Sequence, residues 1–123
     1  MPGITRIDRV GHEKLPGVAV YLLEPQHTST IAQEVLVELE PNGDIPLHSH
    51  TVDATMIILN GGATVLSEDG DLNGRRISRG DVVFFEKNRR HGFKALESGL
   101  LFLSRNGGIV GEPGRPWDID FQN

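Results

Sequence analysis

Leu47-His48-Ser49-His50 places two histidines two residues apart, directly after the proline at position 46. Side chains two residues apart in a β-strand project from the same face, so both imidazoles can reach one point. The turn sequence Asn42-Gly43-Asp44 precedes this stretch and an apolar run, residues 56–59, follows it, which predicts short strands joined by tight turns. This spacing is compatible both with a metal site and with a packed histidine cluster.

The composition favours strands over helices. The chain has 123 residues, of which 37% are hydrophobic, and it contains 15 glycines and 7 prolines. This length suits one domain with one core, and this density of glycine and proline suits short strands joined by turns. About nine short apolar or alternating segments predict an all-β sandwich or barrel of antiparallel strands, with little or no helix.

Several predicted strands carry specific expectations. Residues 31–40 alternate, so Val35, Val37 and Leu39 are expected on the buried face and the glutamates on the other. Residues 54–60 form the most apolar strand, which Gly61-Gly62 is expected to end before a further strand at 63–67. The other predicted strands are residues 18–23, 45–50, 75–78, a buried strand at 82–85, and two strands at 91–95 and 100–104.

A single domain is predicted over residues 1–123. The barrel is expected to span residues 18–104, with an N-terminal arm at 1–17 that includes one edge strand, and a C-terminal tail at 105–123. In that tail the segment 117–121 alternates apolar and acidic residues, which predicts an edge strand docked on the body or on a partner subunit.

Composition also excludes several classes of protein. The chain has no cysteine, so disulfides and thiolate ligands are ruled out. Its net charge of -5 argues against nucleic acid as the main partner. The first residues lack the apolar core of a signal peptide and no apolar run reaches membrane-spanning length, so a cytoplasmic protein without a membrane partner is predicted. His12 and His27 are expected to be surface histidines.

Two stretches together resemble the motifs of the cupin family, which are small β-barrels of the jelly-roll type. The first motif contains His-x-His between two glycines, and here it runs from Gly43 through His48 and His50 to Gly61. The second contains one histidine, His91, after a strand that begins at a glycine. The resemblance implies a jelly-roll cupin barrel in which these three histidines converge at the barrel mouth.

The departures from the cupin motifs concern polar groups. Ala54 stands where the first motif has its metal-binding glutamate, and the first glycine lies one residue closer to the histidines than usual. In the second motif Glu86 and Asn88 replace the usual proline and glycine, and Ala95 replaces the final asparagine. Asp53 is a candidate extra ligand only if the connection bulges, because a shift of one residue turns a side chain to the other face.

The implied ligands are His48, His50 and His91. Neutral imidazoles suit divalent transition metals, with iron foremost and zinc, nickel, copper, cobalt or manganese as alternatives. Three protein ligands leave positions open for water or substrate, as in catalytic sites. The alternative is that the histidines are merely packed in the barrel. Alternation also predicts a mostly apolar pocket lining of Ala54, Met56, Ile58, Phe93 and Ala95.

The predicted function is a three-histidine metal cupin that acts on a small organic molecule, with a dioxygenase as the favoured activity. One alternative is a non-catalytic module that binds a small ligand or senses a metal. Another is a metal-assisted isomerase or lyase, which needs a general base such as Asp53 or an inward-turned Glu34; Gln33 could also supply a polar group. A homodimer is predicted because the run 56–59 is apolar on both strand faces.

Overall fold

The computed structural model describes Ile4, residues 6–23 and residues 33–107. Within these ranges the chain forms antiparallel strands and no helix, which confirms the predicted all-β fold class. No helix in the described ranges is long and apolar enough to cross a membrane. The predictions for His27 and for residues 117–121 lie outside them, and the single-domain division stays a prediction. The strands are β1 Arg9–Gly11, β2 Val18–Leu23, β3 Gln33–Leu39, β4 Asp44–His48, β5 Ala54–Ser67, β6 Arg76–Ser78, β7 Val82–Phe85 and β8 His91–Asn106.

The two long strands β5 and β8 hold the barrel together. The order of hydrogen-bonded neighbours is β1-β2-β3-β8-β5-β6, with β4 added to β8 and β7 added to β5. The second half of β8 pairs with β3, whereas its first half pairs with β4. In the same way β5 pairs first with β7 and then with β6. Both long strands therefore pass from one half of the barrel to the other, with β4 added to one half and β7 to the other.

Close-approaching glycines explain why these strands are long. The prediction that Gly61-Gly62 ends a strand is wrong, and so is the division of residues 91–104 into two strands. Gly61 and Gly99 both have positive φ values, of 75° and 72°, and a Cβ on Gly61 would lie 2.1 Å from the Gly99 carbonyl oxygen. The register shifts at this point of the β5–β8 pair. Glycine here lets the two backbones bend together rather than stop.

The core follows the predicted alternation with one exception. Val35, Val37 and Leu39 are buried, as predicted. The prediction that Val82–Phe85 is a buried strand is half wrong, because Val83 and Phe85 are buried while Val82 and Phe84 are 62% and 53% exposed. Strand β7 pairs with β5 and faces the core with one side only. Its side chains therefore alternate between the core and the outer surface.

Candidate metal centre

Three histidines meet inside the barrel, two from the paired strands β4 and β8 and one from the connection after β4. His48 ends β4 and is the register partner of His91, which begins β8. His50 lies two residues beyond His48, in the connection to β5. His48 and His91 are buried and His50 is half-buried. The structure thus places the three sequence-predicted ligands side by side.

The distances suit a shared ion. One ligand atom from each of His48, His50 and His91 lies within 4.8 Å of the other two, with ring centroids 4.6 to 5.3 Å apart. The Nε2 atoms of His48 and His50 are 3.2 Å apart. Two nitrogens that each lie about 2.1 Å from one metal ion are separated by about 3.0 to 3.4 Å at octahedral or tetrahedral angles. The His48 and His50 nitrogens already have this separation.

Backbone carbonyls fix the orientation of two of the rings. The Nδ1 atom of His48 lies 2.8 Å from the Pro46 carbonyl oxygen, and the Nδ1 atom of His91 lies 3.1 Å from the Arg89 carbonyl oxygen. A carbonyl oxygen can only accept a hydrogen bond, so each Nδ1 carries the proton and each Nε2 keeps its lone pair. Metal-binding histidines in proteins are oriented in the same way, so these residues fit a transition metal ion.

An irregularity in β4 makes the His48 contact possible. Ile45 pairs with Phe93 and His48 pairs with His91, so three steps along β4 match two along β8. This bulge turns His48 to the same interior face as Ile45. It also places Pro46, which cannot donate a ladder hydrogen bond, where its carbonyl accepts from the ring two residues on.

Burial keeps His48 neutral. Desolvation, and after it the neighbouring His91 and His50, lower the pKa of His48 from 6.5 to about 3, although the Pro46 carbonyl acts in the opposite direction. A neutral imidazole has the free lone pair that a metal ion needs. The low pKa of His48 therefore favours binding of a transition metal over binding of a proton near neutral pH.

This pKa predicts an acid-sensitive fold in the metal-free protein. Below about pH 6.5 the unfolded chain takes up a proton at His48 that the folded protein does not bind until about pH 3, so stability falls as the pH falls through this window. We expect this histidine to lower the free energy of unfolding by about 2 kcal/mol between pH 7.5 and pH 5. Denaturant unfolding at both pH values measures this difference in the free energy of unfolding. If a His48→Gln variant loses as much free energy of unfolding between pH 7.5 and pH 5 as the wild type does, His48 is not the group responsible.

An aromatic ring lies beside Ala54. Ala54 is 1% exposed and pairs with Phe85 across β5 and β7. The Phe85 ring stacks on His91 with centroids 4.0 Å apart and an interplanar angle of 5°. Phe93 and Phe85 pack in a T-shaped arrangement, with centroids 5.8 Å apart. An apolar surface, rather than a carboxylate, therefore adjoins the histidines on this side.

The candidate acidic residues do not join the histidines. Asp53 is exposed, and its Oδ1 atom accepts a hydrogen bond from the Lys87 amide at 2.8 Å. Glu34 pairs with Arg105, at 3.1 Å, on the face of β3 opposite to Val35. In the part of the chain that the structure describes, the group of side chains able to hold a metal contains His48, His50 and His91 and no carboxylate. Neither acid is positioned beside them as a general base.

The sequence analysis named Gln33 but missed Ser104 and Asn106, which form a buried polar set with it next to Ala54. Gln33, Asn106 and Ala54 are register partners across β3, β8 and β5, so their side chains share the interior face. Asn106 is 2% exposed, and its amide donates to the Gln33 and Ser104 carbonyl oxygens. The Ser104 hydroxyl donates to Asn106 Oδ1 at 3.2 Å. The alternation of buried residues in β8, extended beyond Phe102, identifies Ser104 and Asn106 as facing the interior.

His12 is less exposed than predicted. Its Nδ1 accepts the amides of Lys14 and Leu15 at 3.0 and 3.2 Å, which leaves the proton on Nε2. It is half-buried and close enough to contribute to the lowered pKa of His48. The prediction of a plain surface histidine fails because His12 follows β1, where alternation gives it the inward direction of Val10.

The predicted pocket-lining residues all lie in the core, at different distances along the strands from the histidines. Phe93 is two residues beyond His91 on β8 and Ala95 four. Met56 and Ile58 follow Ala54 on the same face of β5, where they pair with Ser104 and Phe102. Each of the five is at most 4% exposed: Ala54, Met56, Ile58, Phe93 and Ala95.

The arrangement matches a known family of barrels. The family model described as the cupin domain matches residues 35–102, which include all three histidines, the whole of β5 and most of β8. This chain is a cupin. The match confirms the family resemblance of the two histidine motifs. A comparison with curated proteins finds no match.

Solved structures support the same fold for this cupin. KdgF from Halomonas sp. is 24% identical, with a TM-score of 0.65 over 80% of this chain and 85% of that chain. The polyketide cyclase RemF from Streptomyces resistomycificus is 17% identical, with a TM-score of 0.69 over 93% and 90%. An oxalate decarboxylase from Bacillus subtilis is 18% identical, with a TM-score of 0.69 over 95% of this cupin and 33% of its own chain. At these identities the likeness shows the fold.

Proposed function

We propose that this cupin binds one divalent transition metal ion through His48, His50 and His91, with iron foremost, and acts as a dioxygenase on a small organic molecule. The observation that carries the proposal is the convergence of three imidazoles, two of them oriented by carbonyls through Nδ1. Three neutral nitrogen ligands suit iron and its neighbours in the series better than magnesium or calcium. Zinc, nickel, copper, cobalt and manganese are the alternative ions.

The surroundings of the site favour an electron-rich or anionic substrate. A site built from three neutral imidazoles keeps the full positive charge of its ion, because no carboxylate joins the group in the described ranges. When bound, iron would supply the redox chemistry that a reaction with dioxygen requires. Phe85 and Phe93 would hold an apolar part of the substrate and exclude water, while Ser104 and Asn106 could orient a polar group through hydrogen bonds.

The alternatives are less well supported by the side chains present. A metal-assisted isomerase or lyase needs a general base, and neither Asp53 nor Glu34 faces the histidines. RemF is described as a polyketide cyclase, but at 17% identity this likeness supports no transfer of its activity. A binding module that holds a small ligand or senses a metal would use the same three histidines without turnover.

Metal content and oxygen consumption test the proposal together. Protein purified without added metal is analysed for its elements, then loaded with ferrous ion and supplied with small phenols, enediols and diketones while dissolved oxygen is recorded. We expect about one metal ion per chain and oxygen consumption with at least one substrate class. Metal and ligand binding without oxygen consumption would favour the binding module. A protein with no affinity for any divalent transition metal would remove the proposed function entirely.

The outer surface of the barrel supports a homodimer with a second copy as partner. Leu59, Val82 and Phe84 are 40%, 62% and 53% exposed, and they lie on the neighbouring strands β5 and β7. Exposed apolar side chains grouped in this way are typical of interaction surfaces. The proposed dimer buries this face, while the predicted cytoplasmic location stays a prediction from sequence.

A charged substitution on this face is expected to give monomers. Phe84→Glu places a carboxylate in the proposed interface, and we expect the wild type to behave as a dimer and the variant as a monomer at micromolar concentration. Small-angle scattering measures the mass of each. Glu86→Gln, an exposed change just after β7, is the control and should remain dimeric. A wild-type protein that is monomeric under these conditions would contradict the proposed interface.

A further inference from the structure

The loop before β8 contacts two of the three histidines through its backbone. This loop, residues 86–90, is called the His91 loop. Its Asn88 amide donates to the His50 carbonyl oxygen at 2.7 Å, and its Arg89 carbonyl oxygen lies 3.1 Å from His91 Nδ1. The orientation of the His91 ring therefore depends on where the loop places one carbonyl group.

The His91 loop adopts a conformation that needs support. Asn88 has a positive φ of 64°, which is uncommon for a residue other than glycine. The Arg89 amide donates to the Glu86 carbonyl oxygen at 3.2 Å, so the loop closes a turn. The loop residues before Arg90 are exposed to solvent. Hydrogen bonds from outside the loop must therefore contribute to its position.

Two carboxylates outside the metal centre supply those bonds. Asp53 Oδ1 accepts the Lys87 amide at 2.8 Å, and Glu68 Oε1 accepts the Arg90 amide at 2.9 Å. Glu68 also donates its own amide to the Arg90 carbonyl oxygen at 3.2 Å, and its side chain lies 3.6 Å from Arg89 Nε. Hydrogen bonds to a carboxylate are stronger than those between neutral groups. The loop is thus held at both ends.

We propose that Asp53 and Glu68 are positioning residues that set the orientation and tautomer of His91 through the His91 loop. They fix the loop amides, the loop places the Arg89 carbonyl, and this carbonyl holds the proton on His91 Nδ1 and leaves Nε2 free for a ligand bond. Asp53 thus serves the site from the surface rather than as a metal ligand. The consequence for metal affinity rests on the proposed metal-binding function, whereas the consequence for the tautomer does not.

The tautomer of His91 is measured in metal-free protein by the nitrogen chemical shifts of the ring. We expect a single Nδ1–H tautomer in the wild type and a mixture in Asp53→Ala and in Glu68→Ala. Asp53→Asn and Glu68→Gln keep an acceptor oxygen and should restore the single tautomer. Asp81→Ala is the matched control, because Asp81 is an exposed carboxylate that accepts the Ser78 amide at 2.7 Å in another turn. A single tautomer in both alanine variants would overturn the proposal.

A titration with cobalt(II) tests the consequence for the metal centre. Outer residues that orient metal-binding histidines typically change affinity about 10- to 100-fold, and we expect about a 10-fold loss in each alanine variant. The asparagine and glutamine variants and Asp81→Ala should bind cobalt like the wild type. If Asp53→Asn or Glu68→Gln loses as much affinity as its alanine counterpart, charge rather than position is responsible and the proposal fails. A wild type that binds no cobalt removes the proposed function, while the tautomer measurement still decides the positioning role.

Discussion

Replacement of His50 by alanine is expected to lower the affinity for divalent transition metals by at least about 100-fold, because even outer residues of metal sites contribute 10- to 100-fold. His50 Nε2 lies 3.2 Å from His48 Nε2, so its loss removes one of the two best-placed nitrogens. His50 is only half-buried, and the variant should therefore keep its fold. Elemental analysis of purified protein and cobalt titration measure the loss.

Ser49→Ala is the matched control for this variant. Ser49 lies between the two histidines, and alternation directs its side chain away from them. We expect Ser49→Ala to bind metal like the wild type and both variants to melt near the wild-type temperature without metal. Full metal content in His50→Ala would show that the ion binds elsewhere in the protein.

Replacement of Gly92 by alanine is expected to damage both the fold and the metal centre. A Cβ on Gly92 would lie 2.3 Å from the Ile45 carbonyl oxygen and 2.8 Å from that of Pro46. Both contacts are to backbone, so β4 would have to move away from β8, and it would take with it the carbonyl that orients His48. We expect a loss of about 3 kcal/mol in the free energy of unfolding together with weaker metal binding.

Denaturant unfolding of Gly92→Ala is compared with that of Gly11→Ala. Gly11 also lies in a strand, but a Cβ there would meet no atom within 4 Å, so we expect its stability to stay within about 0.5 kcal/mol of the wild type. Equal stability of the two variants would mean that β4 can withdraw from β8 without cost, and that the bulge in β4 does not fix His48.

The barrel was predictable from sequence because its patterns are local. Alternation gave the buried face of β3, and turn sequences gave most strand positions. The errors arose where two distant segments decide the outcome together. The glycine pair predicted a strand end at Gly61, whereas Gly61 lies at a bend whose geometry depends on Gly99, thirty-eight residues away and opposite it in the sheet. The exposure of one face of β7 likewise depends on which parts of the barrel pack against that strand, and its own apolar sequence does not show this.

The candidate site was predictable to the extent that motif spacing governs it. The family motifs indicated the three histidines, and the structure brings them together. The carbonyls that orient two of the rings, and the stacking of Phe85 on His91, follow from backbone geometry that no spacing rule describes. Asp53 shows the same limit. Its position next to Ala54 made it a candidate extra ligand only if the connection bulged, and its hydrogen bond to the Lys87 amide directs it elsewhere.

The pairing of β5 with β8 also constrains the order in which the metal centre assembles. Ser67 and His91 are partners separated by 24 residues, whereas Ala54 and Asn106 are partners separated by 52. Closing the shorter loop costs about 0.7 kcal/mol less in chain entropy, so pairing is expected to start beside His91 and spread towards Ala54. His48 and His91 are partners separated by 43 residues, so by the same entropy argument their pairing is expected after that of Ser67 with His91. An ion held by all three histidines would then stabilise a state that forms late in folding. Its binding would therefore slow unfolding more than it speeds up folding.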